Sequence, residues 1–206
     1  MPRQNRVTPS GELIAVPARG TFMGNRGCLH DADGRIRRAY DGRRWIICAL
    51  EFKGRRLPLA DRGRNTQLFF LDEATALAAG HRPCGECRRA AFRAFVDAWT
   101  AANPGERSSS GRIDDLDRVL HRQRLAPRPR APLDALPDGA FVALEADPRP
   151  YLVLGGALLA WTPEGYGARV SRPSAVVEVL TPGSTVNALR AGYLPALHRS
   201  AAGPGD

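Results

Sequence analysis

The stretch that decides the fold is QLFFLDEATALAAGHRPCGECRRAAF, residues 67–92. QLFFL reads as a strand. The next segment, EATALAA, consists of good helix formers, with Asp72 as a plausible N-cap and Gly80 as its end. After a two-residue link, Pro83 suits the first position of a second helix, which we expect to run to about Ala102.

The second helix is expected to begin with a C-x-x-C pair, Cys84 and Cys87. At a helix start this spacing puts two sulfurs about one turn apart on one side, where both can reach one tetrahedral zinc at a Zn–S distance near ~2.3 Å. A helix N-terminus also favours the thiolate, which is the form that binds metal. The pair therefore predicts half of a zinc site.

Zinc needs two more ligands, and the candidates are Cys28, His30, Cys48 and His81. We expect Cys48 and His30 to complete the site, with Cys28 as the substitute for either. Cys28 and His30 are two residues apart and would point the same way on a strand. Two alternatives stay open: Cys48 also fits a small buried core residue, and His81 a capping or surface histidine.

A redox pair is the rival interpretation of the C-x-x-C. A thioredoxin-type motif needs a preceding buried parallel strand in a βαβ frame, whereas Cys84 follows a predicted helix and Gly80. Four cysteines in a chain without a signal-like start also favour metal over disulfides.

The remaining patterns predict an α+β protein. RRWIICALEF reads as a strand, KGRRLPLADRGRNT as a second strand and turn, and DDLDRVLHRQRL as a short helix. AFVALEA, PYLVLGG, ALLAW and AVVEVL read as strands closed by the helix STVNALRAG. The expected organisation is an irregular basic arm (1–20), a zinc-binding domain (21–102), a linker with a short helix (103–137), a small β-rich domain (138–200) and a flexible tail (201–206).

The charge of the chain is positive and unevenly placed. The net charge is +9, and residues 1–65 carry 14 Arg or Lys against 6 Asp or Glu. Such asymmetry is typical of a phosphate-binding surface, so nucleic acid, with DNA favoured, is the expected partner. An arginine-rich genome composition is the alternative explanation. The residues expected to contact phosphates are Arg35, Arg37, Arg38, Arg43, Arg44, Arg55, Arg56, Arg62 and Arg64.

Membrane association is not expected. No apolar run approaches the roughly 20 residues of a membrane span, and the N-terminus lacks the apolar stretch of a signal peptide. A cytoplasmic location is therefore expected. The sequence does not identify a protein partner.

Residues 67–92 resemble the second half of the metal-binding domain at the N-terminus of the Ada DNA-repair protein, and the resemblance extends over about residues 22–95. The shared pattern is a strand ending in paired aromatics, a Glu- and Ala-rich helix, Ala-Ala-Gly, and Arg-Pro-Cys-x-x-Cys. In that family the domain binds zinc through four cysteines and binds DNA, and one zinc-bound cysteine accepts a methyl group. The resemblance implies zinc ligation by Cys84 and Cys87. The whole chain also resembles a bacterial protein family that shares MGNRG near its start and LRAGY near its end.

The family's first cysteine pair, C-x-x-x-C, has no counterpart here. Cys28-Leu29-His30 stands in its place, with His30 nearest the acceptor position, and Cys48 would have to supply a ligand from a later strand. An imidazole is not a thiolate nucleophile, so methyl transfer does not carry over.

Two further functions remain open alongside DNA binding. One is an enzyme with a structural zinc and an active site in the C-terminal unit, where Glu164 and His198 could act as acid and base beside Tyr166. The other is a zinc-stabilised interaction module whose basic surface reflects composition alone. Since all three use zinc, the metal does not distinguish them.

Overall fold

The computed structural model describes residues 1–54, 65–106 and 113–202. Within these ranges the chain forms two six-stranded sheets and four α-helices, so the predicted α+β class is confirmed. One cluster of buried side chains draws on both sheets and extends from Val7 to Tyr193. The division into separate domains therefore stays a prediction.

The first sheet has the strand order β2-β1-β5-β3-β4-β6. Its strands are β1 (Gln4–Val7), β2 (Leu13–Ala15), β3 (Phe22–Asn25), β4 (Ile46–Cys48), β5 (Leu68–Phe70) and β6 (Arg82–Pro83). The pairs β1–β5 and β4–β6 are parallel, and the other pairs are antiparallel. The expectation of an irregular arm over residues 1–20 is wrong, because β1 and β2 form an antiparallel pair at the sheet edge.

Strand β4 lies between β3 and the edge strand β6. Ile47 is completely buried, and Met23 of β3 lies opposite Cys48. A Cβ added to Gly24 of β3 would lie 2.1 Å from the carbonyl oxygen of Ile46, so only glycine allows this close approach. The RRWIICALEF strand is confirmed only over its three central residues, and most of KGRRLPLADRGRNT, residues 55–64, lies outside the described residues.

Two helices follow the strand β5. Helix α1 (Glu73–Ala78) has Asp72 as its N-cap, whose carboxylate accepts a hydrogen bond from the Thr75 N–H, as predicted. Helix α2 (Arg89–Ala102) begins six residues later than expected. Pro83 does not open it: Pro83 lies in β6, where pairing with β4 holds the backbone extended.

The second sheet has the order β11-β10-β9-β8-β12-β7. Its strands are β7 (Arg130–Pro132), β8 (Phe141–Ala143), β9 (Pro150–Leu154), β10 (Ala157–Thr162), β11 (Gly165–Ser171) and β12 (Val176–Val179). Helices α3 (Ile113–Leu125) and α4 (Gly183–Arg190) match the two short helices that the sequence predicts. Part of the predicted linker belongs to the second sheet, because β7 within it pairs with β12.

None of the helices in the described ranges is long and apolar enough to cross a bilayer.

Candidate metal centre

Three of the four cysteines converge at one end of the first sheet. Cys48 is the last residue of β4, and Cys84 directly follows β6, which runs parallel to β4. Cys87 follows in the turn between β6 and α2. The sulfur atoms of Cys48, Cys84 and Cys87 all lie within 4.8 Å of one another, and the three side chains are half-buried.

Backbone N–H groups orient two of these sulfurs. The N–H of Glu86 donates to Sγ of Cys84 at 3.4 Å, and the N–H of Ala49 donates to Sγ of Cys87 at the same distance. The Cys84 N–H donates to the carbonyl of Ile47 at 2.9 Å, which extends the β4–β6 pairing up to the site. The cysteine turn is therefore fixed by sheet pairing and N–H···S bonds, and not by the helix start that the sequence predicts.

The three thiols of the cluster have different pKa values because they are half-buried and contact one another. The Cys48 thiol donates to Cys84, and this bond, with the N–H groups of Cys87 and Glu86, lowers the pKa of Cys84 to about 5 against the effect of burial. The same bond and burial raise the pKa of Cys48 well above its ordinary value. Burial raises the pKa of Cys87. Without a cation, the cluster therefore holds one thiolate near neutral pH.

The donor set fits a thiophilic ion such as zinc. Tetrahedral zinc with Zn–S bonds near 2.3 Å holds its sulfurs roughly 3.8 Å apart, and the three sulfurs here already lie within 4.8 Å. Thiolate ligands select zinc, copper(I) or iron over calcium or magnesium. No fourth His, Cys, Asp or Glu joins the group within the described residues.

Cys28 and His30 lie elsewhere. Because β3 and β4 are antiparallel, the chain beyond Asn25 runs away from Cys48. His30 Nδ1 is 2.6 Å from the Thr66 hydroxyl, and the Cys28 sulfur contacts the His30 carbonyl at 3.8 Å. The structure thus brings together three of the five predicted ligands and leaves these two outside the cluster.

His81, the other candidate, is completely buried away from the sulfurs. Its Nε2 accepts a hydrogen bond from Nε of Arg26 at 3.2 Å, and burial, together with Arg26, lowers its pKa well below the ordinary value. It is not a surface histidine, but its backbone N–H does cap the end of α1 by donating to the Ala76 carbonyl at 3.0 Å.

The five predicted phosphate-contacting arginines in the described ranges are all exposed. Three of them form ion pairs: Arg37–Asp31 (2.6 Å), Arg38–Asp41 (3.6 Å) and Arg44–Asp114 (3.7 Å). The other two, Arg35 and Arg43, form no ion pair within the described ranges. Arg55, Arg56, Arg62 and Arg64 lie outside them.

The C-terminal residues considered for acid–base chemistry do not converge on a cleft. The Tyr166 hydroxyl donates to Asp72 at 2.6 Å in the buried core, and the His198 N–H donates to the same carboxylate oxygen at 3.0 Å. Glu164 is exposed. Tyr166 and His198 thus hold the second sheet and the C-terminal segment against the N-cap of α1.

One residue pair beside the cluster was missed by sequence reasoning. Arg88, next to Cys87, forms a two-point ion pair with Glu73. From the sequence, Glu73 was interpreted only as a helix-forming residue. Because the partners are fifteen residues apart in different helical contexts, no local pattern signals the contact.

Comparisons with known proteins identify no relative. No family model matches the chain, and no curated protein and no solved structure matches it. Functional inference therefore rests on the sequence and the geometry of the chain itself.

Proposed function

We propose that this protein binds one zinc ion through Cys48, Cys84 and Cys87 and acts on or binds DNA, in repair or modification. The observation that carries the proposal is the convergence of three sulfurs from two parallel strands and a turn. The DNA part is supported by the basic charge and by the resemblance to the Ada metal-binding domain. When bound, zinc would stabilise the thiolates and cross-link β4 to the turn before α2.

The number of protein ligands decides what the metal does. Four protein ligands make a structural site, whereas three leave a position for water or substrate. Cobalt(II) substitution distinguishes the two, because its visible spectrum reports coordination number and the count of sulfur ligands. We expect a tetrahedral spectrum with three sulfurs, and a spectrum of four sulfurs would require Cys28 to join the site.

Exposed arginines support the nucleic-acid part of the proposal. The segment that carries Arg35, Arg37, Arg38, Arg43 and Arg44 leads into β4, the strand that ends at Cys48. Aspartates partly neutralise this segment, so Arg35 and Arg43 are the best-placed described cations for phosphate contacts.

Salt dependence tests this part. Affinity for duplex DNA should fall steeply as salt rises, and each lost phosphate contact should lower the slope of log K against log salt by about 0.9. In the double variant Arg35→Gln/Arg43→Gln, the slope of log K against log salt should fall by an amount that corresponds to about two phosphate contacts. Arg169→Gln, an exposed arginine of β11, serves as the matched control. Affinity that barely changes between low and moderate salt would refute DNA binding through these charges.

A further inference from the structure

A second candidate site lies in a cleft away from the cysteines. The cleft has a volume of about 430 Å³ and lies between the β1–β2 turn, the end of α1, the end of α3 and the start of α4. Three arginines, Arg26, Arg124 and Arg128, line it together with Trp45, and Arg128 forms an ion pair with Glu178 at 3.1 Å. None of the three zinc-binding candidates contributes to its wall.

Arg26 brings a buried and incompletely bonded charge to this cleft. Its side chain is nearly inaccessible, with 2% of the residue exposed. Nε donates to His81 at 3.2 Å and Nη1 to the Gly11 carbonyl at 2.9 Å, but Nη2 has no partner within the described residues. Burial, followed by the charge of Arg124, lowers the pKa of Arg26 to about 9.

Arg124 also has a buried guanidinium group that is incompletely hydrogen-bonded. Its Nε donates to the Leu120 carbonyl at 3.0 Å and Nη2 reaches the Arg43 carbonyl at 3.4 Å, while the buried Nη1 has no partner in the described ranges. Burial lowers its pKa to about 9. The chain makes room for this side chain at Gly80, where a Cβ would lie 3.3 Å from both Cβ and Nε of Arg124.

The guanidinium groups of Arg26 and Arg124 share one aromatic partner, and neither forms an ion pair with a carboxylate of the described residues. Each guanidinium carbon lies 4.1 Å from the centroid of the Trp45 ring. Against the effect of burial, the charge of Asp117 raises the pKa of Arg124, but both Asp117 carboxylate oxygens accept hydrogen bonds from Arg82 at 2.8 Å. A buried charge without a counter-charge is costly, so Arg26 and Arg124 give the cleft two positive charges that an anion would stabilise.

We propose that this cleft binds a phosphate monoester that carries a planar or apolar group. A phosphate monoester has a charge of about −1.5 to −2 at neutral pH, which matches two guanidinium groups better than one carboxylate does. The volume exceeds what inorganic phosphate needs and lies in the range of small-molecule sites. Tyr40, Leu125 and Leu180 supply the apolar part of the wall.

This inference goes beyond the proposed zinc and DNA function, because it requires neither the metal nor the exposed arginines. The same ligand chemistry has two sources, a free nucleotide and the 5′-phosphate end of a nucleic-acid strand. The cleft recognises the phosphate monoester in both cases.

Calorimetric titration of the metal-loaded full chain tests the proposal. AMP should bind at least tenfold more tightly than adenosine, which has the same planar group and no phosphate. Arg124→Gln and Arg26→Lys should each weaken AMP binding at least tenfold, while Arg169→Gln should not change it. Metal content should be the same in all variants, which separates failure here from failure of the zinc proposal.

A single-stranded oligonucleotide with and without a 5′-phosphate identifies the source. Preference for the phosphorylated strand, lost in Arg124→Gln, supports the proposal with a strand end as ligand; preference for AMP supports it with a free nucleotide. The proposal is overturned if neither phosphate binds better than its unphosphorylated control to the wild-type protein. Binding that is unchanged in a folded Arg124→Gln variant also overturns it.

Discussion

Arg88 and Glu73 form a two-point ion pair, with Nη1–Oε1 at 2.8 Å and Nη2–Oε2 at 2.9 Å. Arg88 directly follows Cys87, and Glu73 is the first residue of α1. The Glu73 carboxylate also accepts hydrogen bonds from the Tyr193 hydroxyl at 2.6 Å and the Ala196 N–H at 2.9 Å. The pair therefore ties the cysteine turn to α1 and to the C-terminal segment.

Glu73→Gln should destabilise the protein strongly. The side chains of Arg88 and Glu73 are only 10% and 2% exposed, and removing the charge of Glu73 leaves the nearly buried Arg88 guanidinium without a counter-charge. We expect a loss of about 3 to 5 kcal/mol in the free energy of unfolding, measured in urea. The exposed pair Arg128–Glu178 provides the control, because Glu178→Gln should cost at most about 1 kcal/mol. Equal losses in the two variants would show that the Glu73 ion pair does not stabilise the turn.

The metal-free protein should retain one thiolate down to about pH 5. The hydrogen bond from Cys48 lowers the pKa of Cys84 to about 5, whereas the pKa values of Cys48 and Cys87 are raised. Thiolate absorbance in the ultraviolet, followed from pH 4 upward, should rise first near pH 5 and the early step should vanish in Cys84→Ser. Titration of all the thiols together near the ordinary value of about 8.5 would contradict this arrangement.

Stability of the metal-free protein should follow the same groups. Because the folded-state pKa of Cys84 is depressed, its contribution is present above the unfolded pKa and is lost as pH falls through about 5. Cys48 and Cys87 have the opposite effect on stability, because their pKa values are higher in the folded protein. Their contribution favours folding below the pKa of the unfolded chain and opposes folding at higher pH. We therefore expect the difference in the free energy of unfolding between the wild-type protein and Cys84→Ser to grow from pH 5 towards pH 8. A constant difference over that range would contradict the prediction.

Gly24→Ala should disturb the strand that carries Cys48. The added Cβ would lie 2.1 Å from the Ile46 carbonyl oxygen and 2.8 Å from Cε2 of Phe70. The two neighbours belong to β4 and β5, the strands on either side of β3, so we expect a loss of about 1 to 3 kcal/mol in thermal or urea unfolding and weaker metal retention. Gly183→Ala is the control, because its Cβ would meet no atom within 4 Å. Wild-type stability of Gly24→Ala would show that β3 and β4 can separate without cost.

The sequence predicted the elements around the cysteine turn because their signals are local. Asp72 and Gly80 mark the two ends of α1, and the apolar spacing of α2 places Phe95 and Trp99 in the core. The clustering of Cys48 with the C-x-x-C pair is a long-range contact, and it was inferred from the ligand number of zinc and not from any pattern.

Other elements could not be predicted because their signals are weak. Four of the missed strands, β2, β6, β7 and β11, lie at sheet edges. Edge strands need little apolar alternation, and β7 even contains Pro132. Cys28 and His30 were misplaced for another reason: residue spacing cannot reveal that β3 and β4 are antiparallel, which carries these residues away from Cys48.

Amino-acid composition does not reveal which arginines are buried. Arg26 contributes to the positive charge of residues 1–65, yet only 2% of it is exposed. Charge counting assigns every arginine to the surface, so the cleft with Arg26 and Arg124 is visible only in the folded chain.

Metal content of freshly purified, reduced and untagged protein tests the central claim most directly. We expect about one zinc per chain, lost in Cys48→Ser and in Cys84→Ser. Cys28→Ser is the matched control, because Cys28 is also half-buried but lies outside the cluster, and it should retain the metal. Absence of stoichiometric metal in the wild-type protein, or loss in Cys28→Ser but not in Cys48→Ser, would contradict the account.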